Sequence, residues 1–246
     1  MVIQLFSSLW NAKLMSAITF YAAPTANGWK ISIALEELEL EYETKYLHFD
    51  QDEQKQPEFL MLNPNGRIPV LVDHENNDFV LAESGAILLY LAERTGQLFP
   101  TSKNDRFEAM QWLMFQMSAV GPMLGQAMFF QRIAAPKGFV DEFAINRYVK
   151  ESLRLLGVLN ERLADREYLC GEYSIVDIAT FPWARAYRWA NLDISALTHL
   201  QSWFDRMEDR DAVQRGLAVP TGKPRVYYSE EDLADATRRN AELYKI

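Results

Sequence analysis

The sequence has a single cysteine, Cys170, among its 246 residues. The chain therefore has no internal disulfide and no pair of cysteines that could cycle between thiol and disulfide. Its three histidines, His48, His74 and His199, are far apart and give no metal-ligand spacing. From these absences we predict a protein that holds no metal, and the lone cysteine favours a reducing compartment such as the cytoplasm.

Long apolar runs and a positive charge balance are missing as well. No apolar run approaches the roughly 20 residues that a membrane helix needs. The net charge of −9 disfavours nucleic acid and anionic membranes as partners. Residues 1–14 lack the basic start and the small-residue cleavage site of a signal peptide. We expect residues 1–16 to be an N-terminal extension, with Met1 and Met15 both open as the native start.

The apolar content is ordinary for a globular protein, and its periodicity divides the chain in two. Hydrophobic residues make up 49% of the chain, which is enough for a sizeable core without a disulfide or a metal. In residues 17–96, strand and helix patterns follow one another in the order βαβαββα. The last two strands, "IPVLVD" and "DFVLAE", are close enough in sequence to be antiparallel neighbours. This half is predicted to be an α/β domain.

Only helical periods follow this first half. Residues 97–103 are predicted to be a linker. Residues 104–217 are predicted to be an all-helical domain, and its clearest helix covers residues 141–164. Residues 218–246 form a predicted tail that begins irregularly and contains a short helix from Ser229.

A loop between the first strand and the first helix carries the first candidate site. In "AAPTANGWK", Thr25 and Asn27 stand just before a helix that is predicted to begin near Gly28. Asn27 has two roles open to it, as the N-cap of that helix or as a donor to a ligand. Its carboxamide has an oxygen for the first role and an NH₂ group for the second. Lys30, one helical turn later, is expected to be solvated.

Two further loops combine features of ligand sites with plainer explanations. Ile68-Pro69 precedes a strand. A cis bond there would leave the Ile68 backbone free to pair with an extended peptide, whereas a trans bond would only start an edge strand. Glu83 and Ser84 precede a helix, where free N–H groups, a hydroxyl and a carboxylate could together hold an amino-acid head group. The plainer explanation is an N-cap at Ser84 and a solvated Glu83.

The stretch "CGEYSIVDIATFPW" is predicted to be a folding signal. Ser174 and Asp177 have capping-box spacing at the start of a helix, and Tyr173 and Ile178 are placed as a hydrophobic staple. Cys170 lies just before them. We expect it to pack as a small apolar residue and not to act as a nucleophile.

These motifs together resemble the glutathione transferase superfamily over residues 17–217. The stretches that carry the resemblance are "APTANGWK", "NPNGRIPVLVD", "ESGAILLYLAERTG", "GPMLGQ" and "SIVDIATFPW". They are most similar to the nu-class bacterial enzymes and the fungal nitrogen-regulator proteins. The resemblance implies a thioredoxin-like N-terminal domain followed by an all-helical glutathione transferase C-terminal domain. It also implies a homodimer with glutathione as co-substrate.

The resemblance implies roles for individual residues. Thr25 and Asn27 would face the glutathione sulfur and activate it. Because the sequence reads "YAAPT", with one alanine more than the family pattern, Tyr21 is not included with them. For Arg67 and Arg147 a plain solvent-exposed position is the alternative. The residues expected to bind glutathione are Gln54, Arg67, Ile68, Pro69, Glu83, Ser84 and, reaching in from the other subunit, Arg147.

The implied activity is that of a glutathione-dependent transferase or disulfide oxidoreductase acting on small thiols, disulfides or electrophiles. Glutathione itself would supply the reactive thiol, since Cys170 is not expected to be a nucleophile. The second substrate is expected to meet an apolar surface that includes Trp112, Met123, Phe129 and Phe130. The alternative is a binding or regulatory protein with little turnover. The fungal regulators carry a long Asn/Gln-rich leader and this sequence has none, which favours the enzyme.

Overall fold

The computed structural model describes residues 16–223 and the single residue Ala234. Two predicted features lie outside the described residues: the N-terminal extension apart from Ser16, and the helix from Ser229 apart from Ala234. Within the described part of the chain, no helix has the length and apolar character needed to cross a membrane.

Four strands in the first half of the described chain form one mixed sheet. They are β1 (Ile18–Ala22), β2 (Tyr42–Tyr46), β3 (Val70–Asp73) and β4 (Phe79–Ala82). The strand order is β2-β1-β3-β4. β1 runs parallel to β2 and antiparallel to β3, which pairs antiparallel with β4. The parallel pair needs a crossover connection, whereas β3 and β4 are joined by a short turn, as their spacing in the sequence predicted.

Three helices complete this half, and they confirm the predicted order βαβαββα. They are α1 (Ala26–Glu37), α2 (Pro57–Leu62) and α3 (Ser84–Thr95). α1 is the crossover between the parallel strands, and α2 begins at a proline, whose missing N–H needs no partner in a first turn. α3 ends at Gly96, which has a φ of 68° and so closes the helix in the left-handed region. The result is a thioredoxin-like domain.

The second half is helical, as predicted. Its helices are α4 (Lys103–Phe115), α5 (Gly121–Met128), α6 (Glu142–Arg162), α7 (Ile175–Ala184), α8 (Thr198–Glu208) and α9 (Asp211–Ala218). Two π-helical segments, Gln116–Val120 and Phe129–Ala134, join α4 to α5 and extend α5. α6 covers nearly the whole of the predicted 141–164 helix and is capped by Asp141, which accepts from the Ala144 N–H at 3.0 Å.

α1 joins the two halves of the molecule through one continuous hydrophobic core. It packs against α3 of its own domain and against α7 and α9 of the helical one. Ser32 Oγ donates to the backbone oxygen of Gly216 at 2.7 Å, and a Cβ on Gly216 would lie 2.6 Å from the Ile33 Cα. Only glycine permits so close an approach. The start of α1, which carries the first candidate residues, is thereby fixed against the helical domain.

The capping box predicted at the start of α7 is present. Ser174 Oγ accepts from the Val176 N–H, and Asp177 Oδ2 accepts from the Ser174 N–H, both at 3.2 Å. Asp177 also accepts from Trp203 Nε1 at 2.9 Å, and burial raises the pKa of its carboxyl to about 6. These bonds anchor the N-terminus of α7 within the helical domain.

Cys170 is a free cysteine in the turn before the capping box, partly buried and packed against the core. Burial raises the pKa of its thiol to about 11. The thiol is therefore protonated at neutral pH, and a protonated thiol is a poor nucleophile. The packing position agrees with the role expected from the sequence.

Candidate functional site

Among the residues that the structure describes, three cavities lie in a cleft between the two halves, and Asn27 and Arg67 line all three. We call them the apolar, central and polar cavities, and their volumes are about 320, 670 and 320 Å³. The apolar cavity is bounded by aromatic and aliphatic side chains that include Phe49, Met128, Phe129, Ile133, Trp183 and Trp189. The polar cavity is bounded by Asn27, Asn63, Asn65, Arg67, Ile68, Pro69, Glu83, Ser84 and Met117. A cleft that is apolar at one end and polar at the other suits a ligand with both kinds of group.

Thr25 caps α1, so the capping role that the sequence left open for Asn27 is not the one it has. The Thr25 hydroxyl accepts from the Gly28 N–H at 3.2 Å, and the helix begins at Ala26, two residues before the predicted start. A Cβ on Gly28 would lie 2.4 Å from the Ala23 oxygen, so the first turn packs directly on the backbone of the loop. Since a hydroxyl both accepts and donates, the Thr25 O–H remains available as a donor to the cleft.

The Asn27 carboxamide has a partner that the sequence did not reveal. Trp183 of α7 donates its indole N–H to Asn27 Oδ1 at 2.9 Å. An indole nitrogen can only donate, so the atom it meets must be the carboxamide oxygen. The NH₂ group is then the end of the side chain left for a ligand in the cleft. No periodicity or motif connects residues that are 156 positions apart, so only the folded chain could identify Trp183.

The Ile68-Pro69 bond is cis, the first of the two alternatives that the sequence left open. Ile68 and Pro69 are buried and line the polar cavity. Asn63 Nδ2 donates to the Arg67 backbone oxygen at 2.6 Å, which holds the preceding loop in place. The Arg67 side chain is exposed and reaches all three cavities, so its position suits an anionic group of a ligand.

Glu83 and Ser84 lie together at the start of α3, but Ser84 is not the N-cap. Glu83 occupies that position without a side-chain capping bond, and its φ of 69° falls in a region that costs a non-glycine residue about 1–3 kcal/mol. Such backbone positions are common at ligand sites. Ser84 is the first helical residue and is buried. Both side chains line the polar cavity.

Lys30 is buried, which overturns the expectation that it is solvated. Its side chain is 1% exposed, and its Nζ donates to Ser84 Oγ at 3.3 Å and to Gln116 Oε1 at 2.8 Å. Burial lowers the pKa of the Lys30 ammonium to about 7, and the nearby Glu83 carboxylate opposes that shift. The signal that could have located it is its spacing of three residues from Asn27, which puts both side chains on one face of α1.

Gln54 and Arg147 lie away from the cavities of the cleft. Gln54 is on a 3₁₀ turn, Glu53–Lys55, and its Oε1 is buried without a hydrogen-bond partner among the residues that the structure describes. Lys55 Nζ donates to the Gly66 oxygen at 3.2 Å, so this turn flanks the loop that carries Arg67. Arg147 is exposed on α6, where it borders a separate basic surface pocket.

Only one of the four residues expected to meet a second substrate borders the cleft. Phe129 lines the apolar and central cavities. Trp112 instead packs beneath the Arg162 guanidinium at 4.9 Å, and Phe130 stacks on Tyr148 at 5.5 Å. Met123 borders the surface pocket of α6. Helical spacing alone could not separate side chains that face the cleft from those that pack elsewhere.

The charges of the cleft differ from those of the chain as a whole. Of the described residues that line its three cavities, those with ionisable side chains are Lys30, Arg67 and Glu83. Two basic groups and one acidic group therefore belong to the walls of the cleft in a chain whose net charge is −9. Among the residues described by the structure, no group of three or more His, Cys, Asp or Glu side chains is placed to hold a metal.

Comparison with known proteins identifies the family. The model for the glutathione S-transferase N-terminal domain matches residues 16–93, and that for the C-terminal domain matches residues 127–211. The disulfide-bond oxidoreductase YfcG of Escherichia coli K12 is 42% identical over 205 residues, which cover 81% of this chain and 94% of that protein.

Solved structures agree with this match. A glutathione transferase from Pseudomonas putida, solved with one glutathione disulfide bound per subunit, is 43% identical with a TM-score of 0.79, covering 86% of this chain and 95% of that one. Ure2p in complex with glutathione is 30% identical with a TM-score of 0.77, covering 82% of this chain and 93% of that one. The chain therefore belongs to the glutathione transferase superfamily, with a fold related to that of Ure2.

Proposed function

We propose that this protein is a nu-class-like glutathione transferase that reduces small disulfides, with bound glutathione supplying the reactive thiol. The observation that carries the proposal is the pairing at the start of α1. Thr25 offers a hydroxyl and Asn27 an oriented NH₂ group, and neither is a nucleophile. Cys170, the only thiol of the chain, belongs to the turn before α7 and is not among the residues that line the cleft.

The charges of the cleft support glutathione as the ligand. Glutathione carries two carboxylates and one ammonium, and Lys30, Arg67 and Glu83 present the complementary set. In this proposal Glu83 accepts from the γ-glutamyl ammonium, Ser84 holds the adjacent carboxylate, and the Ile68 backbone beside cis-Pro69 pairs with the cysteinyl unit. Arg67 meets a second carboxylate, and Gln54 binds glutathione from its neighbouring turn.

The proposed reaction requires the site to stabilise the thiolate of glutathione. A free thiol has a pKa of about 8.5, so only a small fraction is ionised at neutral pH. The Thr25 hydroxyl, the Asn27 NH₂ group and the N-terminus of α1 all favour negative charge on a sulfur nearby. The thiolate attacks one sulfur of the substrate disulfide, the S–S bond breaks, and the leaving sulfur takes a proton. A second glutathione then attacks the mixed disulfide, so that glutathione disulfide and a second thiol are released.

The assembly that we propose is a homodimer. Arg147 is exposed and lies outside the lining of the cleft in its own chain, which agrees with a role across a subunit boundary. In this proposal the Arg147 guanidinium reaches the glutathione that is bound by the other subunit. The site is then complete only in the dimer.

The test is a pair of assays on the purified protein. One follows the reduction of hydroxyethyl disulfide by glutathione, and the other follows conjugation of glutathione to an aryl halide. We expect turnover in the first assay. Binding to immobilised glutathione without turnover in either assay would instead favour a regulatory protein, and no binding at all would contradict both functions.

A substitution at Asn27 tests the proposed chemistry. Asn27→Ala is expected to lower kcat on the order of 100-fold, the loss typical when one preorganised donor is removed. Asn104→Ala is a matched control, because Asn104 is exposed near the start of α4. Equal turnover in the two variants would show that the carboxamide does not activate the sulfur.

A further inference from the structure

The Lys30 side chain is buried to an extent that is rare for lysine. It is 1% exposed, yet it belongs to the wall of the central cavity. Asn27 is three residues earlier on the same face of α1 and lines the same cavity. One helical turn therefore places two polar groups at the wall of the cleft. Of these, Asn27 is proposed to stabilise the glutathione thiolate.

The ammonium of Lys30 has an acceptor for each of its three N–H bonds. Nζ donates to Gln116 Oε1 at 2.8 Å, to Ser84 Oγ at 3.3 Å and to Met117 Sδ at 3.4 Å. With its own donors engaged, Lys30 is placed to act on a ligand through the groups that it holds. Of these groups, Ser84 and Met117 also line the polar cavity, and Ser84 is the one of the two that can donate a hydrogen bond to a ligand.

The hydrogen bond from Lys30 determines which further hydrogen bonds the Ser84 hydroxyl can form. Its oxygen accepts from the ammonium, so the hydroxyl proton must point elsewhere. The acceptor that the structure provides for that proton is Met117 Sδ at 3.8 Å, and a thioether is a weak acceptor. A ligand carboxylate would be a much better one. A hydroxyl that accepts from a cation is also polarised and becomes a stronger donor.

We propose that Lys30 is a positioning residue whose ammonium holds and polarises the Ser84 hydroxyl so that it donates to the α-carboxylate of a γ-glutamyl head group. The inference rests on the proposed function, glutathione binding in the cleft. It adds a residue outside the direct contact set and specifies that Ser84 acts as a donor to an anion. Glu83 is left to accept from the neighbouring ammonium of the same head group.

The electrostatics of the cleft agree with this role. Burial lowers the pKa of the Lys30 ammonium, and the Glu83 carboxylate raises it. A carboxylate bound at Ser84 would add a second negative charge close by and favour the protonated lysine further. If Lys30 had a structural role only, it would join α1 to Gln116 of the helical domain whatever ligand is bound. Its effect on binding would then not depend on the carboxylate of the ligand.

The experiment compares head-group variants of one ligand. S-methylglutathione carries no free thiol, so its affinity reports binding without sulfur activation. One analogue replaces the γ-glutamyl unit with a 4-aminobutyryl unit and lacks the α-carboxylate. A second analogue carries a glutaryl unit and lacks the α-amino group. Affinities are measured by calorimetry for the wild-type protein, for Lys30→Met and for Lys45→Met, a matched control at an exposed position of β2.

In the wild-type protein, removing the α-carboxylate is expected to weaken binding about 10- to 100-fold, the usual effect of a hydrogen bond to a charged group. Lys30→Met should bind S-methylglutathione more weakly by a similar factor and should lose little more when the carboxylate is removed. Removing the α-amino group should weaken binding equally in both proteins, because that contact belongs to Glu83. In turnover, Lys30→Met should raise KM for glutathione and leave kcat nearly unchanged. Lys45→Met should match the wild type throughout.

If Lys30→Met loses affinity for all three ligands by the same factor relative to the wild type, Lys30 has a structural role only. If Lys30→Met binds S-methylglutathione as tightly as the wild type does, the proposal is also overturned. Lys30→Gln is a second variant that keeps an amide donor and so protects the buried acceptors if Lys30→Met does not fold. The same pattern of affinities is expected from it, with a smaller loss. If the wild-type protein does not bind S-methylglutathione, the proposed function itself fails. If it binds and the variants behave like the wild type, only the role of Lys30 is excluded.

Discussion

Trp183 of the helical domain donates its indole N–H to the carboxamide oxygen of Asn27 at 2.9 Å. This bond crosses between the two halves of the molecule and determines that the oxygen end of the carboxamide is engaged by the protein and the NH₂ end is not. Because α7 is anchored by its capping box and α1 packs directly on α7, neither partner can shift without disturbing the shared core. The orientation of the proposed activating group thus depends on the helical domain as well as on the loop that carries it.

Removing this bond should impair activation of the glutathione sulfur. In Trp183→Phe an aromatic ring is kept, although a smaller one, and the indole N–H is lost, so the carboxamide is free to turn its oxygen toward the thiolate. We expect the pKa of the thiol of bound glutathione to rise and kcat to fall about 3- to 10-fold. This factor corresponds to the roughly 0.5–1.5 kcal/mol that one hydrogen bond contributes. The ultraviolet absorption of the thiolate as a function of pH measures the first effect. Trp189→Phe, which changes a tryptophan of the same cavity, is the control. An unchanged thiolate pKa in Trp183→Phe would contradict this role for the indole.

Mixed dimers can locate the action of Arg147. Arg147→Ala and Asn27→Ala are each expected to be weakly active as homodimers. If Arg147 serves the cleft of the other subunit, a mixed dimer contains one intact cleft, with Asn27 from the first variant and Arg147 from the second. Co-expression of the two differently tagged chains and purification of the mixed dimer should therefore restore about half of the wild-type activity per dimer. No restoration would mean that Arg147 acts within its own chain. Full activity of the Arg147→Ala homodimer would mean that Arg147 has no role in turnover.

The only cysteine should be dispensable for turnover. Burial holds the pKa of Cys170 at about 11, so its thiol is protonated across the neutral range. Cys170→Ser is expected to reduce hydroxyethyl disulfide at the wild-type rate. Its stability is expected to fall by about 1 kcal/mol, because a hydroxyl replaces a partly buried thiol. Loss of disulfide reduction in a folded Cys170→Ser protein would show that the reactive sulfur belongs to Cys170 and not to glutathione.

Two glycine substitutions should change stability in opposite directions. In Gly216→Ala the new Cβ would lie 2.6 Å from backbone atoms of Ile33, so α9 must move away from α1. Overpacking of this kind costs about 1–3 kcal/mol. In Gly157→Ala the new Cβ has no heavy atom of the described residues within 4 Å apart from its chain neighbours and the adjoining backbone of α6, and alanine favours the interior of α6 by about 0.5–1 kcal/mol. Urea denaturation midpoints test both changes. Equal midpoints for the two variants would mean that the α1–α9 contact tolerates a methyl group.

The sequence by itself determined the order of the elements and the local signals at their ends. Period-2 and period-3.6 patterns give βαβαββα followed by helices because burial of one face imposes those periods on short segments. The capping box of Ser174 and Asp177 needs only residues within one turn, and it was predicted and is present. The sequence could also indicate candidate site residues that stand next to a strand or helix boundary. These are the loop residues Thr25 and Asn27 and the Ile68-Pro69 pair.

Only the tertiary structure decided which side chains meet. Whether Asn27 caps α1 or presents its NH₂ group depends on Trp183, which is distant in sequence. Whether Lys30 is solvated or buried depends on the packing of α1 against Ser84 and Gln116. Of the four residues that were predicted to meet a second substrate, only Phe129 borders the three cavities of the cleft. Local patterns reflect the free energy of short segments, whereas these contacts arise when two domains close on a common core, and no short segment contains that information.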